Sequence, residues 1–355
     1  MAKLSWTFDE IMAEPEYTTR LRRGERLFHG GLDRRGEYVP PRSRNRLPAI
    51  AAWTEQLAAA GQPTKVIHPQ QLEMHFFPNV EQAKLLLRHE ARGAMTRILT
   101  LIGITEGFGN DGIRAMPRPA LQPLFTESIE GTCLDHLYRG LLEAHGNDEA
   151  GRGEEIGHDG MWYAIRDAAL GDPEVTPDMF ENLPISPPPG YSGPAKASPE
   201  AIGVGQMKLE FPTLDPMFEI LLLAMTQVLV IELVAYGTFT WARQVLRDSS
   251  CSLAPEFAPR MVEYITADEN IHVAYLQCAL AEVRARTLRG GDGATLSGAA
   301  VIDSVCARML RVNSDTARRE RMLRFRMKQI DQELGRRADG QRLREQFAAV
   351  GPVPA

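Results

Sequence analysis

Cysteine is scarce in this chain and badly spaced for its usual structural roles. The four present, Cys133, Cys251, Cys278 and Cys306, lie far apart and form no C-x-x-C pair. That argues against a disulfide scaffold and against a thiolate zinc site, and it fits a reducing compartment. Basic charge is not in excess either: 40 Lys and Arg stand against 46 Asp and Glu, for a formal charge of -6. Such a balance offers no field for nucleic acid, although Arg crowds the C-terminal region. Residues 1–10 hold a single Lys and meet Asp9 and Glu10 before an apolar h-region can form. No export signal is read there, and a cytoplasmic location is expected. The chain also lacks repeats at solenoid periods and strand-like alternation of any length. What remains is helical periodicity in 355 residues that are 44% hydrophobic and 24% charged. This is enough for one elaborated all-α domain with a sizeable core.

Three regions are expected. Residues 1–79 mix short helical patterns with Arg-rich, Pro-punctuated connections such as Tyr38-Val39-Pro40-Pro41-Arg42 and read as an extension packed on the core. Residues 80–288 carry the long helices, and 289–355 form a charged C-terminal helical extension. Within the central region, Leu86, Leu87, Ala94, Ile98 and Leu101 recur with helical period from Val80 to Gly103, with Glu90 on the same stripe. A Gly- and Pro-rich connection from Ile104 to Pro123 leads to a second helix from about Leu124 to Ala144, with Glu127 and Glu130 on its inner face. Residues 146–153 read as a polar turn and Glu154 to Leu170 as another helix. The stretch 176–200, which contains Ser186-Pro187-Pro188-Pro189-Gly190, reads as a long loop of the kind that often covers a site.

The most apolar segment runs from Met217 to Arg247 and is long enough to raise a transmembrane reading. Glu232 at its centre argues against lipid, so no membrane span is expected. An ionised carboxylate there is costly to bury unless it is paired, protonated or bound to metal. The next helix, Glu256 to Thr287, supplies partners: Glu269 and His272, three residues apart, share one helix face. With the intervening turn centred near Ser252, the antiparallel mirror of Glu232 is His272, so all three residues come to one level. The Glu-x-x-His spacing is weak by itself and occurs twice, at Glu155–His158 and Glu269–His272; mirror placement is the stronger signal. A first hairpin with its turn near residue 112 places Glu90 opposite Leu134, one turn from Glu130. Four inward carboxylates then call for cations.

This pattern resembles the ferritin-like di-iron carboxylate proteins, whose bundle takes a Glu from each of two helices and Glu-x-x-His from each of the other two. The resemblance covers residues 80 to 285 and implies metal ligands Glu90, Glu130, Glu232, Glu269 and His272, with Glu269 bridging. The first hairpin departs from the pattern, because Glu130 is followed three places on by Cys133 rather than His. His158 is the preferred replacement; the alternatives are His136 or an all-carboxylate site helped by Glu127. A straight helix would leave His158 roughly 15 Å from Glu130, so the chain must bend near Gly140 or Gly146. A carboxylate and imidazole set suits iron first and manganese second.

What the resemblance implies is a two-iron enzyme that activates dioxygen to oxidise a small organic substrate, by hydroxylation, N-oxygenation or desaturation, with an external electron donor. The sequence leaves the oligomeric state open, a homodimer being one option. Two other classes compete: ferroxidase-type metal handling, and a metal-free helical interaction protein in which buried Glu pairs with Arg97 or Arg243.

Overall fold

A computed structural model describes residues 3–72, 76–176, 208–291 and 293–353. The protein is mostly helical. In chain order come α1 (Phe8–Ile11), strands β1 (Thr19–Arg23), β2 (Arg26–Leu32) and β3 (Tyr38–Val39), then α2 (Ser43–Ala59), α3 (Val80–Arg88) and α4 (Arg92–Arg114). They are followed by α5 (Cys133–His136), α6 (Leu142–Ala150), β4 (Glu155–Ile156) and α7 (His158–Leu170), then α8 (Pro216–Leu246) and α9 (Phe257–Arg284). Strands β5 (Thr287–Arg289) and β6 (Thr295–Ser297) precede α10 (Gly298–Asn313), α11 (Thr316–Gly335) and α12 (Gly340–Ala349). Of the loop expected at 176–200, all but Thr176 lies outside the described residues.

The longest helices form one antiparallel pair. Asp215 starts α8 by accepting a hydrogen bond from the Phe218 amide, and Pro216 occupies the first turn, where its missing N–H costs nothing. At 31 residues, α8 is about 47 Å long at about 1.5 Å per residue. By length and composition it is the one helix among the described residues able to cross a membrane, yet 78% of its most apolar window is buried inside the protein. Its neighbours are α9, α10 and α3, while α4 packs on α6 and α7, and α7 on α9. Two buried clusters meet along α8 and α9, one running from Leu221 to Leu233 with Ile271 to Val283, the other from Phe239 to Leu246 with Ala258 to Ile265.

The first hairpin differs from expectation in register. The helix expected over 80–103 is broken at Glu90, whose φ of 57° lies in the left-handed region. Here α4 restarts at Arg92 and runs eleven residues past Gly103. Its first turn is held by Glu333 of α11, whose carboxylate accepts the Gly93 and Ala94 amides, a favourable placement at a helix N-terminus. Nor do residues 125–132 form a helix. Ser128 Oγ accepts the Glu130 amide and the Gln122 side chain bonds both the Ile129 amide and the Glu127 carbonyl, so local polar bonds replace the helical ladder. The second limb starts only at α5, whose Cys133 and Leu134 amides donate to Glu282 of α9 at 2.9 Å each. An irregular turn over Leu137–Leu141 then leads into α6, with Gly140 at φ 121°.

A small sheet was not foreseen from the sequence. β1 and β2 are joined by the two residues Gly24 and Glu25, Gly24 at φ 60°, the geometry of a tight hairpin. β2 also pairs with β3 antiparallel and with β4 parallel. Because Glu155 and Ile156 are spent on β4, α7 begins at His158 rather than at Glu154. The chain reverses between Gly151 and Gly157 so tightly that a side chain on Gly157 would meet the Gly151 amide at 2.3 Å and the Asp148 carbonyl at 2.6 Å. Of the two bends expected, the chain kinks at Gly140 and not at Gly146, and it is the reversal over 151–157 that folds α7 back beside α6.

Candidate metal centre

The fold gathers four carboxylates and three imidazoles from five helices. His145 and Glu149 project from one face of α6 at i and i+4, as Glu269 and His272 do from α9 at i and i+3. Glu106 comes from α4, His158 from the first turn of α7, and Glu232 from the middle of α8. They fall into two overlapping sets. Each of His145, Glu149, Glu232 and His272 offers a donor atom within 4.8 Å of the others, and the same holds for Glu106, Glu149, His158 and Glu269. Glu149 belongs to both. Glu269 also faces both ways: Oε2 lies 2.8 Å from His272 Nδ1, and Oε1 lies 3.0 Å from His158 Nδ1.

All of these side chains are buried except Glu106, which is half-buried. Burial opposes every charge in the group, and the response divides the carboxylates in two. Glu232 and Glu106 are pushed up by burial and by the charges of Glu149 and Glu269. Glu269, despite burial and the adjacent Glu149, is held down at about 2 by His272 and His158. Glu149 is likewise held low against burial, by the charge of His158 and by the close imidazoles of His145, His158 and His272. His158 and His272 rise against burial because Glu149 and Glu269 face the one, and Glu269 and Asp148 the other. His145, buried and next to charged His272, falls to about 4.

This internal pairing is incomplete. Glu149 Oε1, Glu269 Oε1 and His158 Nδ1 are buried and make no hydrogen bond, although His158 Nδ1 stands 3.0 Å from Glu269 Oε1 and 3.4 Å from Glu149 Oε1. Orphaned donor and acceptor atoms normally cost about 1–3 kcal/mol each. Here all three belong to the set of Glu106, Glu149, His158 and Glu269, where a cation would satisfy them together. Each imidazole meanwhile turns its second nitrogen outward: His272 Nε2 to Asp148 at 2.9 Å, His158 Nε2 to Asp268 at 3.2 Å and His145 Nδ1 to the Tyr275 hydroxyl at 2.8 Å. Fixing the outer nitrogen is how proteins orient metal-ligating histidines. Asp268 also draws in His29, so that His29, His158 and Asp268 form a third group, layered outside the other two.

Four of the six ligands expected from sequence, His158, Glu232, Glu269 and His272, are brought together. Glu90 and Glu130 are not. The Glu90 side chain is 68% exposed at the break between α3 and α4, where it pairs with Arg92. Glu130 is exposed in the turn before α5. The alternatives also lie elsewhere: Glu127 accepts the Thr287 amide, and His136 is buried between the Trp6 amide and the Thr132 carbonyl. Arg243, offered as a partner for a buried Glu, pairs with Glu263. The residues that sequence reasoning missed are Glu106, His145 and Glu149. Glu106 carried the same signal as Glu232, a lone carboxylate behind an apolar run, Leu101-Ile102-Gly103-Ile104. His145 and Glu149 carried a helical i, i+4 spacing.

Comparison with known protein families, with characterised proteins and with solved structures gave no match in any of the three. The class defined by the chain itself is therefore coarse: a mostly helical protein with buried His, Glu and Asp clusters able to hold metal.

Proposed function

We propose that the protein is a ferritin-like dimetal carboxylate enzyme that uses dioxygen to oxidise a small organic substrate. One observation carries this reading. Two four-residue ligand sets share Glu149 and are spanned by Glu269, the arrangement required for two cations bridged by carboxylates. His145, Glu232 and His272 would complete one position, Glu106 and His158 the other. Four carboxylates balance the charge of two divalent ions, and this oxygen-rich set with three imidazoles suits iron or manganese better than zinc. A pair of ferrous ions bound there would supply two electrons to dioxygen.

The chain's own residues supply the rest. The apolar residues around Glu232, among them Leu229, Val230 and Leu233, are buried and keep water from that side of the cluster. Glu106 is the one half-buried member of the cluster, so a path for small molecules would open beside it. Tyr275, buried with its hydroxyl on His145 Nδ1, holds that imidazole in the orientation whose Nε2 faces the cluster.

The test is anaerobic loading with Fe2+, metal analysis, and then exposure to oxygen with and without a reductant. The reading predicts two iron ions per chain and oxygen uptake sustained by the reductant. Less than one iron or manganese per chain sinks it, and rapid oxidation of many Fe2+ per chain without reductant replaces it with ferroxidase chemistry.

A further inference from the structure

The two outer carboxylates are both held by the N-terminal residues, but by different chemistry. Asp148 receives His272 Nε2 at 2.9 Å, together with Arg42 Nε at 2.9 Å and Arg46 Nη2 at 2.7 Å. Both guanidinium groups are buried, and Arg42 reaches on to Glu14. Asp268 receives His158 Nε2 at 3.2 Å, His29 Nε2 at 3.0 Å and the Tyr38 hydroxyl at 2.8 Å, all on Oδ2. Among the described residues its ion-pair contacts are these two histidines. Thus His272 is backed by a carboxylate clamped between two fixed cations, and His158 by one held by an imidazole and a phenol. Arg42 occupies the left-handed region at φ 50° just before the first turn of α2. A non-glycine residue there costs about 1 kcal/mol or more, a strain that recurs where a side chain must be aimed.

We infer that residues 26–46 act as the outer wall of the metal centre and set its two positions separately: His29 and Tyr38, through Asp268, position His158, while Arg42 and Arg46, through Asp148, position His272. The inference rests on the two-metal reading and deepens it. None of these four residues belongs to the two ligand sets, although the His29 ring meets His158 edge-on at 5.1 Å between centroids, so they are positioning residues. An imidazole whose outer N–H is fixed by a carboxylate is a better-aimed and more basic ligand, and loss of such a partner typically costs about 10- to 100-fold in metal affinity. Because the two networks share no residue, each loss should fall on one ion.

Mn2+ binding followed by electron paramagnetic resonance reads this directly. A filled pair is exchange-coupled, whereas loss of one ion leaves a mononuclear six-line spectrum. His158→Ala and His272→Ala give the reference spectra for a single ion in each position. The His29→Gln, Tyr38→Phe double variant should weaken one ion by tenfold or more and leave the spectrum of His158→Ala. Arg46→Met should do the same at the other position and give the spectrum of His272→Ala, with Arg46→Lys recovering most of the loss. If Arg46→Met does not fold, Asp148→Asn, close in shape to the native side chain, takes its place. Variants that melt as wild type but lose both ions together, or neither, overturn the inference and leave two-metal binding standing. Wild-type protein that takes up no Mn2+ overturns the two-metal reading and the inference with it.

Discussion

Loading the site with divalent metal should release protons, up to about four per chain, because ligands must be deprotonated to bind. In the metal-free protein burial and the charges of Glu149 and Glu269 raise Glu106 and Glu232 toward their protonated forms, facing carboxylates raise His158 and His272 toward their charged forms, and the imidazoles hold Glu149 and Glu269 toward ionisation. His145, at about 4, is neutral. The seven groups then sum to zero charge. With two divalent ions and all seven ligands deprotonated they again sum to zero, so two ions exchange for four protons. The combined affinity for the pair should accordingly rise with pH, by up to about 10⁴ per pH unit. Calorimetry in buffers of different ionisation heat counts the protons. A release of fewer than two per pair of ions would refute this protonation pattern.

The same shifts set the stability of the metal-free protein. Glu106 and Glu232, raised from 4.5, and His158 and His272, raised from 6.5, favour the fold fully below those values and lose that contribution as pH rises through their folded-state values. Glu149 and Glu269 act oppositely: their contribution is present above 4.5 and is lost as pH falls, for Glu269 toward about 2. The metal-free melting temperature should therefore fall as pH rises above about 6.5 while the loaded protein holds steady, a gap that differential scanning calorimetry would show.

Other outcomes follow from particular side chains. Glu106→Gln should reduce bound metal from two ions to one by elemental analysis, whereas Glu90→Gln and Glu130→Gln should keep both, since those carboxylates are exposed and outside the cluster. Gly109→Ala places a carbon 2.8 Å from Glu149 Cγ. It should lower metal affinity in a Mn2+ titration although no ligand is removed, and unchanged binding would show that Glu149 can shift freely.

The α8 and α9 half of the site was legible because a charge inside an apolar helix needs a partner, and a short turn fixes where the partner lies. The other half was misread for two physical reasons. Gly103, Gly107, Gly109 and Gly112 looked like helix breakers, but α4 runs through all four, and at two of them a neighbour comes too close for a side chain: Tyr163 sits 2.5 Å from where a Cβ on Gly103 would be, and Glu149 2.8 Å from one on Gly109. Ending the helix early moved the turn to residue 112, while the real connection spans 115–132, and the mirror test then selected Glu90 and Glu130. The second reason is that residues 146–153 are polar and were assigned to a turn. Asn147, Asp148 and Glu149 are instead buried in α6, with Asp148 matched by Arg42, Arg46 and His272. Polarity marks solvent only when no partner is waiting, and those partners lie more than a hundred residues away in sequence.

The central claim is that Glu149 and Glu269 lie between two metal ions, and anomalous diffraction from crystals grown with Mn2+ tests it most directly. Two peaks about 3.5–4 Å apart are predicted, one beside His145, Glu232 and His272, the other beside Glu106 and His158. A single peak, or peaks away from Glu149, would contradict the account.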